Sequence, residues 1–277
     1  MKINDIFFEL ANEFRYKLLK EIFNKPCRNS YLSKKLNLPG SEITRHLKRL
    51  AKYNLIIKKT DNKYYITKFG TLIVNDLKYF EFLTKFDNFL NTHNIEFIPQ
   101  HIKMEMGKIL NAKLLINTME NIELWSQIIK GAKNYIWAIT DQLQYSIIPI
   151  IQQKITTQKL EIKSILGSNL LKKLVYTDEW EIYIKGPKPQ IFQELYKLLK
   201  IPDNIRKINK IELSLIITES EGIIFFSNNK GIDYSECIYS KNDPDFIEWT
   251  TDLFKYFWDT ADKMSIDEIL PKNNGKN

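Results

Sequence analysis

The chain has 277 residues, 44% of them hydrophobic and 27% charged, and carries a net charge of +8. That length is large for one core, so two domains are expected, and the composition is that of an ordinary folded protein, not a disordered or fibrous one. No apolar run approaches the roughly 20 residues that cross a bilayer, and Asp5, Glu9 and Glu13 break the apolar pattern where a signal peptide would run unbroken.

Cys27 and Cys237 match neither a disulfide framework nor a zinc motif. A reducing cytoplasm is therefore expected, with no membrane partner and no cofactor. The charge is uneven. Residues 1–70 hold 16 Lys and Arg against 6 Asp and Glu, a balance of +10, whereas residues 71–277 hold 25 against 27. A basic excess on one module is the footprint of phosphate binding, although a solvated lysine surface would give the same count.

In chain order, a first helix is predicted from about Asn4 to Phe23, with Phe7, Leu10, Phe14 and Leu18 on its apolar face and Pro26 after it. Ser30 stands as the N-cap of a second helix, on which Leu32 and Leu36 point inward and leave Tyr31, Lys34 and Lys35 outside. Asn37-Leu38-Pro39-Gly40 makes the turn, and Ser41 is expected to cap a third helix. Ile43, Leu47 and Leu50 fall at i, i+4 and i+7 and form its buried stripe. His46 reads as a boundary packing residue with one ring nitrogen hydrogen-bonded. Two short strands joined by Asp61-Asn62 follow at once, from Leu55 to Lys59 and from Lys63 to Thr67. The order helix, turn, helix, hairpin predicts a winged helix-turn-helix over residues 1–67, and so double-stranded DNA as the partner. Ser41, Thr44 and Arg45, at the start of the third helix, are expected to read base edges. Lys48, Arg49 and Lys52, together with Lys58, Lys59 and Lys63 of the wing, are expected to touch phosphates, with Tyr31 and Lys34 beside them.

Residues 68–109 are expected to link and dimerise. Thr67 caps a long helix from Lys68 to Asn91 whose stripe is Ile73, Leu77, Phe80, Leu83, Phe86 and Leu90, with Phe82 and Phe89 outside it. That much aromatic surface needs cover, from a second copy of the chain in a homodimer or from the second domain.

Residues 110–270 alternate strands and helices. Strands are predicted at 135–140, 160–166, 180–185, 213–218 and 223–227, with helices near 117–132, 143–157, 187–200 and 244–263. The expected class is α+β: a winged helix, a linker helix and an α/β mixed-sheet domain, with Glu221-Gly222 as a tight hairpin turn. Polar strand exits at Thr140-Asp141-Gln142, Gly167-Ser168-Asn169 and Thr218-Glu219-Ser220 suggest a pocket for an unknown small-molecule effector. Trp137, Asp141, Tyr145, Ser168 and Glu219 are its candidate residues, and ordinary polar strand exits are the alternative.

The order of Ile98-Pro99-Gln100-His101, Gly107-Lys108-Ile109-Leu110, Thr140-Asp141-Gln142, Gly231-Ile232-Asp233-Tyr234 and Asp243-Pro244-Asp245-Phe246, with Trp249, Asp252, Tyr256 and Trp258, resembles an archaeal family of transcriptional regulators of the methanogenesis- or filament-length-regulator type. The resemblance implies an ArsR-like winged helix and a C-terminal domain similar to the phospholipase-D-like sensor of TrmB-type regulators. It implies a regulator, not an enzyme. The phospholipase-D pattern needs His-x-Lys-x4-Asp, and the single match, His101-Ile102-Lys103, has Lys108 where Asp is required. The metal-binding cysteine pair of metal-sensing ArsR proteins is absent, so no metal is expected. A winged helix used only for protein contacts is the competing reading, and a phospholipase-D-like phosphodiesterase a more distant one.

Overall fold

The computed structural model describes residues 1–264 apart from 143–146, 148–149, 152, 155–156, 158–159, 169 and 171–203. The predicted strand 180–185 and helix 187–200 lie outside the described residues, as does Tyr145. The fold is mixed α/β and divides into two compact units, Met1–Phe82 and Leu83–Asn277. That division falls inside a helix, where the sequence suggests a linker beginning at residue 68.

The first unit runs α1 (Ile3–Leu10), α2 (Glu13–Asn24), β1 (Cys27–Arg28), α3 (Asn29–Leu36), α4 (Gly40–Lys52), β2 (Ile56–Lys58), β3 (Lys63–Ile66) and α5 (Lys68–Lys85). The single helix expected over residues 4–23 is two helices. Asn12 accepts a hydrogen bond from the Arg15 N–H and starts α2 afresh, while Phe7 and Phe8 stay exposed. Neither Ser30 nor Ser41 acts as a cap. Helix α3 begins at Asn29 after Arg28, and α4 begins at Gly40 after Pro39, whose fixed φ suits a helix entry. Asn37 takes the left-handed conformation (φ 52°) that closes α3, and the Ser33 hydroxyl donates to Leu38 O across the turn. The strands form a three-stranded antiparallel sheet in the order β1-β3-β2. Its hairpin turns at Asp61-Asn62, with Asn62 at φ 62° and the Asp61 carboxylate accepting from Lys63 N–H. Leu18, Leu19, Ile22, Leu32, Leu47, Leu50 and Leu55 fill the core without exposure.

The Thr67 hydroxyl accepts from Gly70 N–H and starts α5, as its position suggests. The long helix then stops at Lys85. Phe86 leaves the helical conformation and α6 (Asp87–Thr92) follows. The predicted stripe is only partly buried: Phe80 is exposed, whereas Phe82 and Phe89, placed outside it, are almost completely enclosed.

The second unit continues with α7 (Gln100–Met104), a 3-10 turn (Met106–Ile109), β4 (Lys113–Ile116), α8 (Thr118–Gly131), β5 (Tyr135–Thr140), β6 (Glu161–Gly167), β7 (Ile205–Ile208), β8 (Leu213–Ile217), β9 (Glu221–Asn228), β10 (Gly231–Ile232), β11 (Glu236–Lys241), α9 (Pro244–Thr260) and β12 (Asp262–Lys263). The main sheet has the order β12-β7-β6-β5-β8-β9-β11-β4, with β10 paired to β9. β5, β6 and β7 are parallel and the rest antiparallel. Helix α8 covers one face through Trp125, Ile128 and Ile129 against Ile136, Phe225 and Cys237. Alternate residues face the other way: Trp137 stacks on Phe254 of α9, and Phe226 meets Phe89 edge-on. Asp243 accepts from Phe246 N–H and starts α9, with Pro244 in its first turn. The β8–β9 hairpin turns at Thr218-Glu219-Ser220. Glu221 and Gly222 already belong to the strand, where a Cβ on Gly222 would lie 2.9 Å from Ile217 Cγ2 and 3.0 Å from Ile216 O. Among the described residues, no helix is long and apolar enough to cross a membrane.

Candidate nucleic-acid interface

Helix α4 separates its residues cleanly. Ile43, Leu47 and Leu50 have no exposure and face the core. At about 100° per residue, Ser41, Arg45, Lys48 and Lys52 project within about 60° of one another on the opposite side. All four are exposed. Among the described residues the Arg45 guanidinium pairs only with Glu42, at 3.3 Å, with its side chain 69% exposed, and Lys48 has no ion-pair partner. The hairpin adds Lys58 and Lys59, exposed beside the Tyr64 and Tyr65 rings, and Lys63, at 4.0 Å from Asp61. Lys34 on α3 is exposed, while Tyr31 packs half-buried on the core and donates its hydroxyl to Glu21.

Two residues assigned to DNA are occupied within the module. The Thr44 hydroxyl donates to Gly40 O at 2.8 Å and accepts from Asn29 Nδ2 at 2.7 Å, which ties α3 to α4 and uses the groups a base edge would need. Arg49 is held by Glu9. Its Nε lies 2.9 Å from one carboxylate oxygen, and its Nη2 2.5 Å from the other. Glu9 on α1 is fully enclosed and also meets Arg15 Nε at 2.9 Å. The hydrogen bonds from Arg49 hold the Glu9 carboxyl below its ordinary value against the opposing effect of burial. Arg15 Nε and Nη2 in turn donate to the main-chain oxygens of Glu9 and Phe8. A buried carboxylate between two guanidiniums thus fixes α1 to the flank of the basic helix, beside its exposed stripe. The sequence gives no sign of this clamp, because Glu9 and Arg49 lie 40 residues apart and Glu9 and Arg15 sit on separate helices.

His46 is buried at the boundary and stacked on Phe14, as its position suggests, but neither ring nitrogen has a hydrogen bond. Its Nε2 is 3.6 Å from Glu42, and burial, with Arg45 and Arg15 nearby, pushes its pKa down. The two cysteines are buried and unpaired, and burial pushes the Cys237 thiol up to about 12.

The described residues assigned to an effector pocket are not all brought together. Asp141 and Ser168 do lie at the same end of the sheet, at the carboxyl ends of the parallel strands β5 and β6. Strand β8 runs antiparallel to β5, so Glu219 lies at the opposite end of the strands. There it accepts from the Lys133 and Asn134 N–H groups. Burial works to raise its carboxyl, and these backbone donors outweigh it and hold the pKa below the ordinary value. Asp141 accepts from the Tyr234 hydroxyl, and Ser168 donates to Ile208 O. Trp137 lies mid-strand between Phe254 and the Lys163 ammonium. The His101-x-Lys103 pair is dispersed too: Lys103 pairs with Glu96, and Lys108 bridges Glu105 and Glu248.

No protein-family model matches the chain, and no curated protein matches it. Solved structures give distant likenesses. The archaeal chromatin protein TrmBL2, whose structure is described as showing a novel mode of DNA binding, is 14% identical over 86% of this chain and 88% of its own, with a TM-score of 0.42. LaPhzM is 12% identical over 76% of this chain and 67% of its own, with a TM-score of 0.23. An O-methyltransferase family protein from Burkholderia thailandensis is 7% identical over 76% and 65%, with a TM-score of 0.24. With TM-scores below 0.5, none of these likenesses decides what the chain does.

Proposed function

We propose that this protein is a sequence-specific DNA-binding transcriptional regulator that acts as a homodimer and responds to a small-molecule effector. In this reading residues 1–67 are an ArsR-like winged helix-turn-helix, with α4 as the recognition helix and the β2–β3 hairpin as the wing. The second unit is the sensor, of the phospholipase-D-like kind, and has no catalytic role.

One observation carries the reading. The exposed stripe Ser41, Arg45, Lys48, Lys52 lies opposite the buried stripe of a helix that follows a tight turn. A helix of that width fits the major groove, and Arg45, near its N-terminal end, would meet the O6 and N7 of a guanine. The lysines of the hairpin supply phosphate contacts. Thr44 and Arg49 move out of the contact set and Ser41, Arg45, Lys48 and Lys52 remain in it.

The test is a salt titration of duplex binding by the full chain, with DNA from its own chromosomal region among the probes. Four to six phosphate contacts per module, eight to twelve for the homodimer, predict a log–log slope of roughly −7 to −11. A winged helix used only for protein contacts would give no binding to titrate, even in dilute buffer.

A further inference from the structure

Helices α7 and α9 are separated by some 140 residues of sequence, and they frame a cleft of about 330 Å³. The Trp249 side chain is buried beneath it and donates Nε1–H to Ile102 O at 2.9 Å, which fastens one wall to the other. His101 and Glu105, four residues apart on the α7 side, line one wall. Asp252, Lys255 and Tyr256 line the other. Both walls therefore carry a carboxylate and a nitrogen base.

These groups are differently engaged. Glu105 already accepts from Lys108 at 2.7 Å. The His101 ring, the Asp252 carboxylate, the Lys255 ammonium and the Tyr256 hydroxyl have no hydrogen-bond or ion-pair partner among the described residues. Asp252 and Lys255 are three residues apart on one helix, yet they do not pair with each other within 4 Å. A cleft at the small end of the roughly 300–1,000 Å³ range, with an aromatic floor and a few converging polar groups, is the ordinary form of a small-molecule site.

We propose that this cleft binds a small zwitterion, a free α-amino acid in the first instance. Its carboxylate would meet Lys255 and His101, its ammonium would meet Asp252, and its side chain would lie by Trp249 and Tyr256. A ligand with one charge would leave the opposite member of the Asp252–Lys255 pair unmet. The proposal rests on the effector-responsive reading above and gives that effector a site and a chemical class, in place of the dispersed pocket at the strand ends.

Isothermal titration calorimetry of the full chain without DNA, against each of the twenty common α-amino acids, tests it. At least one should bind saturably. The matching amine without the carboxylate, and the matching acid without the amine, should each bind at least tenfold more weakly. Asp252→Asn and Lys255→Met should each weaken the amino acid at least tenfold with the thermal midpoint unchanged, since both side chains are exposed. Absence of saturable heat with all twenty overturns the proposal, as does binding that both substitutions leave intact or equal binding of the singly charged analogues. Because no DNA is present, failure here leaves the duplex titration untouched, and failure of that titration leaves this result standing.

Discussion

Replacing Glu9 by alanine isolates the clamp on the flank of the basic helix. The carboxylate is fully enclosed and accepts from Arg15 and Arg49. Removing one partner of a fully buried ion pair costs about 3–5 kcal/mol when it strands the other charge. Here neither guanidinium is stranded. Arg15 keeps the main-chain oxygens of Glu9 and Phe8, at 2.7 and 2.9 Å, and the Arg49 side chain is already 43% exposed and can turn to water. The expected loss is therefore that of hydrogen bonds to a charged acceptor, about 1.5–3 kcal/mol. All five tryptophans lie at residue 125 or beyond, so tryptophan fluorescence follows the second unit alone while far-ultraviolet circular dichroism sees both. In urea, the dichroism transition should move to lower concentration and the fluorescence transition should not. Arg49, once released, lies one turn from Arg45 and can reach the backbone of a bound duplex. The salt dependence of DNA binding should then steepen by about 0.9 per protomer, roughly 1.8 for the homodimer, as one phosphate contact is added on each module. An unmoved dichroism transition, or a shallower salt slope, would refute the reasoning.

Other expectations follow from single sites. Arg45→Ala should cost ~1–3 kcal/mol of DNA affinity and relax the preference at one base position, whereas Lys58→Ala should weaken all duplexes about equally; a selection from randomised duplexes separates the two. Because the Glu9 carboxyl lies below its ordinary 4.5 when folded, its contribution is complete above that pH and drains away as pH falls through the lowered value. Acid unfolding of Glu9→Ala followed by dichroism should accordingly be shallower than that of the parent in this range. Gly70→Ala would put a methyl 2.1 Å from Leu55 O and 2.8 Å from Ile66 Cδ1, so α5 must leave the β2–β3 hairpin, at a cost near or beyond the usual ~1–3 kcal/mol of overpacking. Gly131→Ala meets nothing nearer than 3.5 Å at the end of α8 and should gain up to ~1 kcal/mol in the same urea assay.

Where a pattern is local, the sequence is legible. β5 runs over the predicted Tyr135–Thr140, and the α4 stripe is buried where its spacing places it. Three kinds of feature escape such a reading. The Phe7-Leu10-Phe14-Leu18 spacing stays helical across Ala11-Asn12, so the apolar pattern hides the break that the Asn12 cap makes. Strand direction leaves no trace in alternation, so the sequence puts Glu219 with Asp141 although β8 carries it to the opposite end of the strands. Pairings across long separations are invisible one residue at a time. Glu9 with Arg49 is one, and His101 beside Trp249 and Asp252 is another.

Gly222 shows how one missing side chain can fix the assembly of a hairpin. It faces Ile217 where even a methyl group would collide with the Ile217 side chain and the Ile216 carbonyl. A slip of one position would force Glu221 or Ile223 into that gap and turn Phe225 out of the layer beneath α8. Chain-length variation in this hairpin therefore has only one place to go, the three residues 218–220, and the strands on either side of it can lengthen or shorten only by losing their partner.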